Sequence, residues 1–387
     1  MTHQETITML AQYVDQLLEG SDAQNPLWNI EKIRSGEENR WNYIDGCMMT
    51  AVLALHRMTG EQKYLDFADR FVGWYVREDG SIRTYSPEEY NLDNVNPGKN
   101  LFALYERTGK EKYRKAMDVV RSQLETMPRT KEGNFWHKKI YPNQVWLDGL
   151  YMAQPFYVQY ETTYNRMRGC LDSFRQFCNV VRLMRDEKTG LFYHGYDESR
   201  EMYWANPETG CSENFWLRAL GWYVVALLDT LQVMDEQLYY EYRTVQAQLR
   251  ALVDAWLPWQ HESGMFYQII NRPDHEKNYL ETSGSALFAY GVMKAVRLGF
   301  LPKRYRAYGE KAFWGTTERY LSKDENGKLR LGGICLVAGL GGKDHRDGSL
   351  EYYFSEPVVE NEAKGVGPLV LAFTEILNIE KAEAEEC

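Results

Sequence analysis

Arg57-Met58-Thr59-Gly60-Glu61-Gln62-Lys63-Tyr64 and Arg107-Thr108-Gly109-Lys110-Glu111-Lys112-Tyr113 are one segment occurring twice. Each follows an apolar stretch and opens an amphipathic one. The glycine suits a left-handed helix cap, and the charged residues after it start the next helix. The unit recurs more loosely at Leu298-Gly299, before Lys303-Arg304-Tyr305. Used as a ruler, it divides the chain into strongly apolar helices starting near Tyr43, Pro97, Leu147, Phe215, Gly284 and Gly365. Amphipathic helices alternate with them, running roughly from Glu5, Gln62, Glu111, Asn165, Leu238 and Lys303. In one of these, Asp66, Asp69 and Arg70 face away from Phe67, Phe71 and Trp74. A helix that is apolar all round is buried on all sides. Inner apolar helices alternating with outer amphipathic ones predict an all-α fold, an (α/α)6 barrel or six-hairpin toroid. The extra length of the repeat lies in the loops before the inner helices. There a second motif recurs: Gly133-Asn134-Phe135-Trp136-His137, Gly190-Leu191-Phe192-Tyr193-His194 and Gly264-Met265-Phe266-Tyr267-Gln268. These segments predict short β-hairpins on the loop rim. There is no Pro/Ser-rich linker, and the only low-complexity run is acidic, near Glu383. Residues 1–387 therefore read as one domain.

Composition narrows the function. The net charge of -10 argues against a nucleic-acid partner, which needs a basic face. A local Arg or Lys still suffices for one substrate carboxylate. The 28 Tyr and 11 Trp fit either a large core with amphipathic rims or a cleft whose flat rings stack on sugar faces. Met1 to Gly20 mixes acids and amides into its apolar residues and does not read as a signal peptide. No apolar run is long enough to span a bilayer, so no membrane partner is expected; the further expectations are a cytoplasmic protein and a monomer or weak homo-oligomer. Cys47, Cys170, Cys178, Cys211, Cys335 and Cys387 show no CxxC pair and read as free thiols.

In a toroid, the residues just before each inner helix converge at one mouth. That set is Trp41, Asn42 and Asp45; Asn91, Asp93 and Asn94; His137, Lys138, Gln144, Trp146 and Asp148; His194, Glu213, Trp216 and Arg218; Thr282 and Ser283; Glu360 and Asn361. The opposite rim holds the Thr-Gly turns, which are ordinary polar caps. Asp148 reads either as an N-terminal acid stabilised by the helix dipole or as a general acid. Its apolar neighbours Trp146, Leu147, Gly149 and Leu150 would raise its pKa for the second role. Asp93 is a turn residue before Pro97 or a site residue, and Asp45 reads as a cap. Arg218 either satisfies a core acid such as Glu213 or binds a substrate carboxylate. His137 and His194, at equivalent places in two repeats, suggest ligand contact. No HExxH or clustered His/Cys spacing points to a metal, and no GxSxG elbow, P-loop or dinucleotide motif points to a cofactor. Gly339-Leu340-Gly341-Gly342 fits a plain turn or a close backbone approach.

Tyr141-Pro142, Gln144 and Trp146-Leu147-Asp148-Gly149-Leu150-Tyr151-Met152, with Asp347-Gly348-Ser349-Leu350-Glu351-Tyr352-Tyr353 and Lys364-Gly365-Val366-Gly367, resemble glycoside hydrolase family 105. These are the unsaturated rhamnogalacturonyl hydrolases, and the resemblance runs from Trp41 to Ala372. The unsaturated glucuronyl hydrolases of family 88 share the toroid. The resemblance implies an (α/α)6 barrel without metal or other cofactor, acting on an unsaturated uronyl oligosaccharide. Asp148 would be the general acid/base. Asp93, His194, Trp216, Arg218 and the segment His137 to Tyr141 fall on substrate-contacting positions. Trp41, Asn42 and Gln144 join them as candidate binding residues. Asn361-Glu362 departs from the family's Asn-Asp, so no role passes to Glu362. Three rival readings stay open: an inverting glycosidase with Asp93 as base and Asp148 as acid, a sugar 2-epimerase shuttling protons through His137 and His194, and a sugar-binding or scaffold protein.

Overall fold

The computed structural model describes residues 2–386, so the expected free thiol of Cys387 lies outside the described residues. In chain order the helices are α1 (His3–Glu19), α2 (Ile30–Ser35), α3 (Tyr43–Thr59), α4 (Gln62–Tyr75), α5 (Lys99–Thr108), α6 (Glu111–Thr126), α7 (Leu147–Tyr164), α8 (Cys170–Met184), α9 (Leu217–Val233), α10 (Tyr239–Trp256), α11 (Thr282–Arg297), α12 (Arg306–Tyr320), α13 (Leu350–Ser355) and α14 (Ala363–Glu386). Packing closes them into a ring. α3 lies on α5, and α7 lies on the 3-10 turns that lead into α5. α7 continues to α9, α9 to α11, α11 to α14, and α14 returns to α3. Around this ring α4 backs α3, α6 backs α5, α8 backs α7, α10 backs α9, α12 backs α11 and α1 backs α14. The expected six-hairpin toroid is the observed fold.

The two sets of helices differ in burial as their sequences require. α9 is buried without a break from Leu217 to Leu228. α4 buries Tyr64, Leu65, Phe67, Ala68, Phe71, Val72 and Tyr75 and leaves Asp66 and Arg70 in solvent. Trp74 departs from the expected pattern. It is 37% exposed in the last turn of α4, with the Arg83 guanidinium over its ring and the edge of Tyr75 against it. α8 begins at Cys170 rather than near Asn165, since Arg166 and Met167 take positive φ and break the helical run.

The two rims also differ. On one, Gly60 and Gly109 close α3 and α5 at φ 74° and 64°, donating to the carbonyls of His56 and Tyr105. On the other, the expected hairpins are shorter than predicted. Gly133, Gly190 and Gly264 make positive-φ turns, but each segment is held by single bridges, such as Arg129 to Phe135 and Arg185 to Phe192. Each turns straight back onto the end of its outer helix and has no room for a ladder. The ladders are instead β1 (Gln144–Trp146) with β2 (Gly195–Asp197), β3 (Leu321–Lys323) with β4 (Leu329–Leu331), and β5 (Ile334–Cys335) with β6 (Val358–Val359), all antiparallel. No helix among the described residues is long and apolar enough to cross a membrane.

Candidate active site

A belt of backbone hydrogen bonds builds this mouth. The amide of Leu92 donates to the His137 carbonyl, Leu147 to His194, Leu217 to Gln268, Thr282 to Gly333, and Ala363 to Trp28. Each bond ties the first residue of an inner segment to a rim loop from another part of the ring. The residue after each donor carries a functional group: Asp93, Asp148, Arg218, Ser283 and Lys364. The belt therefore sets His137 beside Asp93, and His194 beside Asp148. Pairing of β1 with β2, with Trp146 opposite Gly195, reinforces the second pair.

His194 Nε2 lies 3.2 Å from Asp148 Oδ2. Neither atom makes a well-aligned hydrogen bond within the protein. His194 is fully buried, while 13% of the Asp148 side chain remains open to solvent. His194 Nδ1 is 2.8 Å from the hydroxyl of Tyr353 on α13. In the first pair, Lys138 Nζ sits 2.6 Å from Asp93 Oδ2 and His137 Nε2 sits 3.7 Å from Asp93 Oδ1. Asn91 caps the 3-10 turn that carries Asp93, accepting from its amide. Trp146 joins the pairs: His137 stacks on it at 4.4 Å and Tyr141 at 5.1 Å, and His194 meets its edge at 5.5 Å. Its Nε1 donates to Gln144 Oε1 at 3.0 Å. Trp216 lies 4.8 Å from His194, with the Arg218 guanidinium 4.7 Å over its ring.

The electrostatics correct one expectation. Burial does push the Asp148 carboxyl up, but the adjacent His194 and His137 outweigh it and hold it below the ordinary carboxylate value. The resting side chain is a carboxylate, not a stored acid. Burial drives the His137 imidazole down to about 4, against the pull of Asp93. Burial also disfavours the Lys138 cation, and Asp93 more than reverses this.

Other expected members of the mouth make hydrogen bonds within the fold. Asn42 caps α3, accepting from the Asp45 amide and donating to the Asp45 carboxylate. Trp41 donates from Nε1 to the Asn94 carbonyl and is buried. Asp45 accepts from Trp28, Asn39 and Asn42, consistent with a structural acid. Glu213 is exposed and cannot be the core partner of Arg218. Arg218 Nη1 instead donates to the Cys335 carbonyl and to Ser283 Oγ, which Glu281 holds in turn. Glu360 pairs with Arg330, and Asn361 accepts from Tyr13 and the Leu331 amide, so neither belongs to the mouth. Glu362 caps α2 through the Ile30 amide.

Two residues of the candidate site were not among the residues singled out from the sequence. Tyr353 reaches His194 from a distant segment. Gln268 occupies the place of the two histidines in the next hairpin, fully buried, with neither amide atom hydrogen-bonded within the protein. Its membership of the Gly-x-Phe motif was the available signal. The Gly339–Gly342 turn proves to be a close approach. A side chain on Gly339 would meet Arg346, which bonds the Tyr141 hydroxyl and the Gly341 carbonyl, and Leu340 is buried against Trp146 and Trp204. Among the described residues no group of three or more His, Cys, Asp or Glu could hold a metal ion.

The sequence matches the family model described as Glycosyl Hydrolase Family 88 over residues 21–380. The fold is similar to that of a C. acetobutylicum glycoside hydrolase from family 105, at 40% identity and a TM-score of 0.87, covering 95% of this chain and 98% of that one. The 24.9 kDa protein in the picA locus of Rhizobium radiobacter is 42% identical over 233 residues, 58% of this chain and 98% of its own length. YesR of Bacillus subtilis, an unsaturated rhamnogalacturonyl hydrolase, is 26% identical over 264 residues, 67% of this chain and 72% of its own.

Proposed function

The chain belongs to the glycoside hydrolases of families 88 and 105, and from that premise we propose that it removes the unsaturated (4-deoxy-4,5-ene) galacturonyl residue from the non-reducing end of lyase-generated rhamnogalacturonan oligosaccharides. The observation that carries this reading is the inequality of the two acids at the mouth. Asp93 is tied to Lys138 at 2.6 Å, whereas Asp148 meets only a histidine and keeps an oxygen unbonded. An ordinary glycosidase needs two free carboxyl groups flanking the anomeric carbon. Hydration of a C4=C5 double bond needs only one.

In this reaction Asp148 gives its proton to C4, and the positive charge that forms at C5 is shared with the ring oxygen. Water adds at C5 and loses its proton to the Asp148 carboxylate. The hemiketal then opens by breaking the bond between C5 and the ring oxygen, and the hemiacetal left at C1 expels the neighbouring sugar. Asp148 starts as a carboxylate. Arrival of the anionic uronate adds like charge and displaces water, and both effects favour a proton on it. In this reading Arg218 and Lys138 are the cations that receive the uronate carboxylate. Trp146 and Trp216 offer ring faces to the sugar.

The test is a panel of lyase-generated disaccharides, followed by the ultraviolet absorbance of the conjugated uronate, which only hydration of the double bond bleaches. Bleaching with the galacturonyl–rhamnose substrate supports the proposal. Faster bleaching with an unsaturated glucuronyl disaccharide would move the substrate to the other sugar, and hydrolysis without bleaching would return the chemistry to two-carboxyl catalysis.

A further inference from the structure

Tyr353 is fully buried, its ring 6.2 Å from Trp216 and its hydroxyl 2.8 Å from His194 Nδ1. Among the described residues, this nitrogen is the one hydrogen-bond partner of that hydroxyl. A phenol carries one proton that needs an acceptor. If Nδ1 were protonated, Tyr353 would have to accept from it, and its own proton would be buried without a partner, which is unfavourable. The arrangement that satisfies every atom has Tyr353 donating to a bare Nδ1. The imidazole proton then resides on Nε2, the nitrogen 3.2 Å from Asp148 Oδ2.

We propose that Tyr353 is the positioning residue that fixes His194 as its neutral Nε2–H tautomer and aims that hydrogen at Asp148. This rests on the reading of Asp148 as the acid/base. In that role the tautomer serves twice. With a hydrogen already on Nε2, His194 has no lone pair facing Asp148 and does not take the proton that Asp148 must deliver to C4. Once Asp148 has delivered it, Nε2–H supports the carboxylate that receives the proton from water. The other groups facing Asp148 are His137 from the rim and Arg218 from α9, with the Lys138–Asp93 pair behind His137. All of them are retained when only the hydroxyl is removed.

The experiment is Tyr353→Phe, which keeps the buried ring. Imidazole nitrogens are read by 15N NMR on histidine-labelled protein, with the His194 signals assigned from a His194→Gln sample. The parent should show a protonated Nε2 and a bare Nδ1, and the variant a shift toward protonated Nδ1. On the unsaturated disaccharide, kcat should fall at least about tenfold with KM little changed, since the wrong tautomer turns a lone pair instead of a hydrogen toward Asp148. Losing the Nε2–H donor lets Asp148 hold its proton to higher pH, so the alkaline limb of the kcat profile should move upward. A parent protonated on Nδ1 overturns the proposal, as does a folded variant with unchanged tautomer and an unchanged pH profile. If the parent cleaves no unsaturated uronyl substrate, the functional reading fails, and the imidazole spectrum of the parent still decides the tautomer. Should the variant melt early, the same parent spectrum decides.

Discussion

Asp45 and Asp148 occupy the first turns of two inner helices, α3 and α7, at the same mouth, and they are treated in opposite ways. Asp45 accepts from the Trp28 indole, Asn39 and Asn42, with Asn42 also capping the helix. Asp148 has no capping side chain before it, and it keeps Oδ2 without a well-aligned hydrogen bond. One acid has every oxygen occupied by the fold, and the other retains bonding capacity. Buried polar groups are normally satisfied, so an unsatisfied carboxylate oxygen at the mouth accords with the role proposed for Asp148.

The largest expected effect tests that contrast directly. Asp148→Asn should lose roughly 10²–10⁴-fold in turnover, the ordinary worth of a general acid, while melting close to the parent and still binding substrate. Asp45→Asn should do the reverse. It should retain turnover and lose about 1–3 kcal/mol of stability, because a donor replaces an acceptor among three donors. The contrast breaks if folded Asp45→Asn is as inactive as Asp148→Asn.

A smaller effect is expected at Arg218, where fold and site overlap. Arg218→Lys keeps the charge but loses the fork, so kcat/KM should drop about tenfold, or 1.4 kcal/mol. Arg218→Ala also removes the bonds to Cys335 and Ser283, and thermal melting should show that loss beside a raised KM. Normal kinetics in a stable Arg218→Ala protein would remove both roles. Asp93→Asn releases Lys138 and should raise KM roughly three- to tenfold with a lesser change in kcat. An effect confined to kcat would place Asp93 in the chemistry beside Asp148.

The smallest effect is a pH dependence of opposite sign at the two places. Burial pushes Asp45 up to about 6, which its hydrogen bonds only partly offset. A folded-state acid raised in this way stabilises most at low pH and loses that contribution as pH rises from about 4 to 6. His137 is pushed down to about 4 by burial, so its contribution is present above about 6.5 and is lost as pH falls toward 4. Melting curves should therefore fall more steeply on acidification in Asp45→Asn than in the parent, and less steeply in His137→Gln. Parallel curves for all three would show that neither group titrates differently on folding.

The ring was legible because it is written in local terms. Thr59-Gly60 and Thr108-Gly109 mark helix ends by backbone conformation, and the apolar runs of α9 and α11 admit no exposed face. The mouth was half legible. Asp148, His137 and His194 stand next to repeat boundaries, so counting repeats brings them together. The mouth assignments that did not hold, Glu213, Glu360 and Asn361, stand at similar boundaries but point to solvent or into the outer layer, which periodicity does not encode. Tyr353 was invisible as a partner of His194, since nothing near either residue refers to the other. The direction of the Asp148 shift was misjudged because its flanking residues are apolar in sequence, whereas its neighbours in space are two imidazoles.

The belt of amide-to-carbonyl bonds has a consequence for how such a site changes over time. Leu147 N to His194 O, with β1 paired to β2, sets the backbone spacing beneath the acid and the imidazole through main-chain atoms. Main-chain spacing is indifferent to which side chains hang from it. Substitutions throughout the barrel wall, or at the second residue of any other inner segment, can accumulate while this caliper keeps its setting. Exchanging Arg218, Gln268 or Lys138, one hairpin at a time, would then alter the lining of the mouth without moving the backbone that carries Asp148 and His194.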